Sequence, residues 1–216
     1  MSRAVVTGAA RGIGAAVADR LERDGFDVLR VDLAGGFIAD VTNAEDRARI
    51  VAEAGTVDVL VNNAGITRDA RIVKMTEEQF LAVIRVNLGA AYELSRACNY
   101  GDGASIVSLA SRAYLGNFGQ FNYSASKGGL VGMTRALALE LAPRVRVNAI
   151  APSLTASEMT RAMPEKVLEK MIASIPLGRQ AEPEEIAETI AALASPAAAY
   201  VTGQVLVACG GRSLAP

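Results

Sequence analysis

Three glycines, Gly8, Gly12 and Gly14, fall between an apolar β-rich run, Arg3–Thr7, and a helical pattern carrying Ile13, Val17 and Leu21 at four-residue spacing. A strand that enters a helix through a glycine-rich turn opens a βαβ unit, and that context makes a glycine pattern informative. Gly8 allows a tight turn, Gly12 lets backbone approach a phosphate, and Gly14 permits close packing of helix on sheet. The start of the helix, with Arg11 and Ile13 beside Gly12, then offers free N–H groups and a partial positive charge.

The same alternation runs along the chain. Strands are expected at Val28–Asp32, Asp58–Asn62, Ala104–Leu109, Arg144–Ile150 and Gln204–Val207. Helices are expected over Asn43–Ala54, Thr76–Ala97, Tyr123–Leu141 and Pro183–Leu193. This predicts an α/β fold: a single doubly wound, mainly parallel sheet of Rossmann type with helices on both faces. The absence of repeats and linkers in 216 residues predicts one domain over 1–216. Its glycine-rich end would hold a dinucleotide.

With 51% hydrophobic and 21% charged residues and a formal charge of -1, the composition points to neither nucleic acid nor membrane as partner. A strand-like run starts within three residues of the N-terminus, so no signal peptide is expected. Cys98 and Cys209 make no disulfide framework or metal pair, which predicts a cytoplasmic setting. Histidine is absent, which excludes Ser-His-Asp and Cys-His hydrolase chemistry and leaves a metal site without its commonest ligand. A proton donor must then be Tyr, Lys or a carboxylate.

Tyr123 and Lys127 lie four apart and share a helix face, so the ammonium is expected to lower the phenol pKa. Asp32 ends the second strand, where a carboxylate accepts both ribose hydroxyls of an adenosine and repels a 2′-phosphate. Arg11 pulls the other way, since a guanidinium there would receive that phosphate. Asp32 carries more weight, so NAD(H) is expected to be preferred, with NADP(H) the alternative.

These residues resemble the short-chain dehydrogenase/reductase superfamily nearly end to end. Thr7–Gly14 fits its TGxxxGxG motif, Asn62-Asn63-Ala64-Gly65 its NNAG motif, and Tyr123–Lys127 its YxxxK motif. The resemblance implies a catalytic tetrad of Asn87, Ser111, Tyr123 and Lys127. It places Asp40 and Val41 beside an adenine ring, and Pro152, with Thr155 or Ser157, at the nicotinamide carboxamide. It implies transfer of a hydride between nicotinamide and a small carbonyl or secondary alcohol, with Tyr123 donating the proton and Ser111 orienting the oxygen. Lys127 would bind the ribose, and Asn87 would hold a relay water. Ser108, three residues earlier, competes with Ser111. Gly65-Ile-Thr-Arg-Asp69, Met75–Glu78 and Gly119–Tyr123 look most like 3-oxoacyl-thioester reductases, although dihydrodiol, steroid and polyol dehydrogenases share the scaffold. A sensor without turnover has no need of the Ser, Tyr and Lys together, and a dehydratase or epimerase would need further acid/base residues that cannot be identified. The family habit implies a homotetramer, supported indirectly by Phe118, Phe121 and the apolar run Val201–Ala208.

Four departures stand out. The chain is short for the family, Ser153 follows Pro152 where glycine is usual, and Cys209 precedes Gly210-Gly211 where aspartate often stands. Only Leu33–Gly36 separate strand two from a candidate third strand, Phe37–Ala39. Four residues span at most about 14 Å, too short for a crossover helix. The expectation is a stub of a strand, a reversal at Gly35-Gly36, and an adenine pocket open on one side. Ser153–Arg179, of mixed polarity and mobile-looking, is the expected specificity segment.

Overall fold

Strand β1 (Arg3–Thr7) is covered on both sides. Val5 packs into one hydrophobic cluster, and Ala4 and Val6 pack into another on the opposite face. Successive strand residues point to opposite faces, so an unbroken apolar run requires two layers of cover. The computed structural model describes residues 2–214; residues 1, 215 and 216 of the expected domain lie outside the described residues. The other strands are β2 (Asp27–Asp32), β3 (Phe37–Ile38), β4 (Thr56–Asn62), β5 (Asn99–Leu109), β6 (Val145–Pro152) and β7 (Val205–Ala208). They form one parallel sheet in the order β3-β2-β1-β4-β5-β6-β7.

The helices are α1 (Gly12–Arg23), α2 (Ala44–Ala54), α3 (Glu77–Ile84), α4 (Ala90–Ala97), α5 (Phe121–Glu140), α6 (Glu158–Arg161), α7 (Glu165–Ala173) and α8 (Pro183–Ala194). α1 and α8 cover one face through Val17, Leu21, Ile186 and Ile190. α2, α4 and α5 cover the other through Ile50, Leu94 and Ala138. The doubly wound arrangement is therefore the expected one. Local chemistry fixes the helix starts. Asn43 caps α2, accepting from Glu45 and Asp46 N–H, and Thr76 with Gln79 forms a reciprocal capping box on α3.

Three elements differ from expectation. β5 begins at Asn99 rather than Ala104, because Asn99 and buried Tyr100 already pair with Thr56 and Val57 before the register shifts. The expected helix Thr76–Ala97 is interrupted by a π-helical turn at Arg85–Gly89. Ser153–Arg179 contains a helix that was not expected, α7; none of its residues is fully buried, and Leu168, Met171 and Ile172 form its half-buried face. Gly210 and Gly211 pack against the end of this segment. An added Cβ would lie 2.6 Å from Ile175 Cγ2 and 2.9 Å from Pro176 Cγ, respectively.

The short connection behaves as the sequence predicts. No helix separates β2 from β3, and β3 is a two-residue stub pairing Phe37 with Val31 and Ile38 with Asp32. Gly35 and Gly36 both have positive φ, at 76° and 61°, a conformation glycine adopts without steric cost.

Candidate active site

The strand order changes direction between β1 and β4, and a crevice opens at their C-terminal ends, the position where open α/β sheets bind ligands. Thr7 and Asn63 knit its floor. Thr7 Oγ1 accepts from Asn63 and Ala64 N–H at 3.0 and 3.1 Å, and Asn63 Nδ2 donates to the Thr7 and Gly8 carbonyls, both at 2.9 Å. Gly14 is pressed into this floor, where an added Cβ would lie 2.0 Å from Gly8 O. Gly12, at φ 58°, has nothing within 4 Å of a Cβ position. The glycine turn is thus fastened below and open above, where α1 starts next to Arg11 and Ile13.

Asp32 stands beside this turn. Its carboxylate accepts from Ala10 N–H at 2.9 Å and Leu33 N–H at 2.7 Å. Asp40 and Val41 follow β3. Val41 is buried in the core, and Asp40 accepts from the N–H and hydroxyl of Thr42, turning the chain into α2. Pro152 ends β6, and the nearby Thr155 Oγ1 is buried without a hydrogen-bond partner. An open glycine turn at a helix N-terminus, a strand-end carboxylate and an orphaned hydroxyl fit the phosphates, ribose and carboxamide of a nicotinamide dinucleotide.

Asn87, Ser111 and the pair Tyr123 and Lys127 on α5 come from three places in the chain to one end of the sheet. Asn87 is buried in the π-helical turn, a local widening frequent at functional sites. Its Oδ1 accepts from Ile66 N–H at 2.8 Å, and its Nδ2 donates to Ile66 O at 3.0 Å and Ser126 Oγ at 3.1 Å. Gly65 sits over this group: a Cβ there would be 3.3 Å from Asn87 Oδ1 and 3.7 Å from Lys127 Nζ. Ser111 opens the 3-10 turn Arg112–Leu115; its hydroxyl accepts from Ala113 N–H at 3.2 Å and is near enough to the Tyr123 phenol to pull that group's pKa down. Ser108 is fully buried in the sheet near Asn62 Nδ2, so Ser111 is the serine that reaches the tyrosine.

Lys127 is buried and donates to Leu109 O at 2.5 Å; burial lowers its pKa to about 8. The expected lowering of Tyr123 by this ammonium is corrected. Burial raises the phenol above its ordinary value, the nearby Ser111 hydroxyl opposes the rise, and the Asp69 carboxylate adds to it. Helical spacing brings the two side chains together, but it does not reveal that Leu109 O takes the ammonium. Asn63, in the quoted NNAG motif, ties the glycine turn with its side chain. Sequence reasoning passed over Thr7, Ser126 and the fully buried Asn122, whose Nδ2 donates to Arg68 O at 2.9 Å and Gln79 O at 3.2 Å. Thr7 and Ser126 stand inside the quoted motifs and Asn122 directly before one, which was the available signal.

A family model described as enoyl-(acyl carrier protein) reductase matches residues 34–213. The 3-oxoacyl-(acyl-carrier-protein) reductase of Thermotoga maritima is 41% identical, over 96% of each chain. The acetoacetyl-CoA reductase of Shinella zoogloeoides is 42% identical, over 98% of this chain and 99% of that relative. A short-chain dehydrogenase/reductase structure titled glucose/ribitol dehydrogenase, from Brucella melitensis, superposes with a TM-score of 0.94 at 33% identity, over 98% of this chain and 96% of that one. Motifs, geometry and these relatives agree, and the chain belongs to the short-chain dehydrogenase/reductase superfamily.

Proposed function

We propose that the protein reduces the 3-oxo group of acyl thioesters, using Tyr123 as proton donor. One observation carries this reading: buried Lys127 holds its ammonium 5.5 Å from the centre of the Tyr123 ring, on a phenol whose pKa the nearby Ser111 hydroxyl pulls down against burial. A carbonyl oxygen placed between the two hydroxyls receives two hydrogen bonds as negative charge develops on it. Tyr123, held protonated by burial, passes its proton to that oxygen. Asn87 and Lys127 position the group beneath, and Lys127 holds the nicotinamide ribose. The cofactor supplies the hydride when bound.

The similarity to 3-oxoacyl and acetoacetyl thioester reductases supports the substrate class. A second reading, oxidation of a sugar or polyol, has support from the likeness to glucose/ribitol dehydrogenase and to the aldohexose dehydrogenase of Thermoplasma acidophilum, at a TM-score of 0.93 and 30% identity. The Asp32 carboxylate beside the glycine turn supports preference for NAD(H) over NADP(H). Residues 153–179 would shape substrate choice within the single domain.

We further infer a homotetramer in the cytoplasm. Exposed Phe118, Phe121 and Leu206 support apolar contacts between copies. No helix among the described residues is long and apolar enough to cross a membrane. Light scattering should give four times the chain mass; a monomer at micromolar concentration would refute the assembly.

The functional test follows reduced-nicotinamide absorbance with acetoacetyl-CoA, crotonyl-CoA and glucose, using NAD(H) and NADP(H) in parallel. Reduction of acetoacetyl-CoA well above the others is expected. Reduction of crotonyl-CoA alone would make the protein an enoyl reductase, as the family model's description reads, and oxidation of glucose alone would favour the second reading.

A further inference from the structure

Several polar groups unused by this chemistry converge beyond the ends of β5, β6 and β7. Arg112 directly follows Ser111, and its Nε is buried with no hydrogen-bond partner. Arg212 lies in the turn after β7, where its N–H donates to Cys209 O at 3.1 Å. Ser153 directly follows β6, the strand between theirs: its N–H donates to Ala208 O at 3.1 Å, while its hydroxyl is buried and unpartnered. The hydroxyl of Ser213, next to Arg212, is also buried and unpartnered.

Among the described residues neither guanidinium has an ion pair, and the two feel each other. Burial first, and then the charge of Arg112, hold Arg212 below its ordinary value, with Cys209 opposing. Gathering two like charges and several unsatisfied polar atoms is unfavourable unless something supplies their partners. The cofactor phosphates belong elsewhere, because β4, β5 and β6 separate the glycine turn after β1 from β7.

We propose that Arg112, Arg212 and the Ser153 hydroxyl form a substrate subsite for an oxyanion, a carboxylate or phosphate carried a few atoms from the carbonyl that Ser111 and Tyr123 hold. Guanidinium groups take both anions through paired N–H donors. The proximity of Arg112 to Ser111 keeps the anion near the reacting carbon. The inference rests on the carbonyl-reductase reading and narrows it: the preferred substrate is an oxo compound whose arm towards β7 ends in an anion.

Three ketones test this: neutral ethyl acetoacetate, acetoacetate, and dihydroxyacetone phosphate. The natural sequence should favour one of the two anions over the ester by about tenfold in kcat/KM, and which anion wins identifies the source. Arg212→Gln should lower that ratio about tenfold, as the loss of one charge-assisted contact would do. Calorimetric titration of malonate and inorganic phosphate into the cofactor-free protein reads the same subsite without turnover, with affinity for the preferred anion dropping about tenfold in Arg212→Gln and in Ser153→Gly. An unchanged ratio, or no binding of either anion to the natural sequence, overturns the subsite. If neither the three ketones nor acetoacetyl-CoA is reduced, the carbonyl-reductase reading fails, and the titration still decides the subsite.

Discussion

Lys127 Nζ lies 5.5 Å from the centre of the Tyr123 ring, yet its hydrogen bond goes to the main chain at Leu109 O. The ammonium faces the π-system of the phenol, and its own charge is weakened by burial. In this state tyrosine is a stored acid, neutral and aligned with Ser111. Its conversion to an efficient donor then depends on what binds above Lys127.

Tyr123→Phe removes one hydroxyl and little volume. Turnover should fall by about 10²–10⁴-fold, the contribution of a positioned general acid. Affinity for NADH, measured by fluorescence titration, should stay within about twofold, since the lost hydroxyl belongs to the reacting end. A variant retaining a tenth of the activity would remove Tyr123 from proton transfer.

The buried lysine gives a pH dependence with a definite sign. Its pKa is lowered from 10.5 to about 8, so it is charged below that pH and neutral above it. NADH affinity of the cofactor-free protein should fall as pH rises through about 8, where the donor to the ribose is lost. Lys127→Met should bind weakly at every pH and show no such step. A flat profile for the natural sequence between pH 7 and 9 would show that the ammonium is not the ribose anchor.

Asp32→Ala should weaken NADH binding by about 1.5–3 kcal/mol, the range for hydrogen bonds to a charged group. It should bring NADPH affinity closer to that of NADH. Because the carboxylate also holds Ala10 and Leu33 N–H, a small fall in Tm should accompany the change. Tighter binding of NADPH than NADH by the unmodified protein would show that Arg11 dominates the ribose site.

Gly12 and Gly14 should separate stability from binding. Gly12→Ala meets no atom but forces a left-handed residue, at a cost of roughly 1–2 kcal/mol, and should mainly damage cofactor affinity. Gly14→Ala drives a methyl into Gly8 O and Asn63 Nδ2, so it should lower Tm by more. Thermal melts and NADH titrations of both variants check the order; equal melting losses would contradict it.

How much of this was readable beforehand follows from the range of each interaction. β1, α1 and the stub β3 rest on periodicity, glycine and connection length, all local properties, and they fell where the sequence placed them. The motif residues could be placed by resemblance because their order in the chain is their signature. The path of the Lys127 ammonium was not readable, since Leu109 O belongs to another strand. Nor was the placing of Arg112 and Arg212 at the same end of the sheet, which needs β5, β6 and β7 to lie side by side. α7 was missed for a different reason: its apolar residues Val167, Leu168, Met171 and Ile172 recur at helical spacing, but the mixed polarity of the surrounding segment masked that stripe.

The abbreviated connection after β2 also bears on how the molecule behaves in a crowded solution. Because β3 pairs only with Val31 and Asp32, the outer rim of β2 from Asp27 to Arg30 lacks a neighbouring strand. Unpaired rims invite another chain to add on. Here the rim carries charge at both ends: Asp27 is engaged by Arg3, and Arg30 by Asp19 and Glu22. β3 itself presents two residues, too few to template a ladder. What this flank leaves open is therefore apolar side chains rather than backbone: Leu33 and Ile38 are exposed there, while the charged ends of β2 and the two-residue β3 keep its rim from templating another strand.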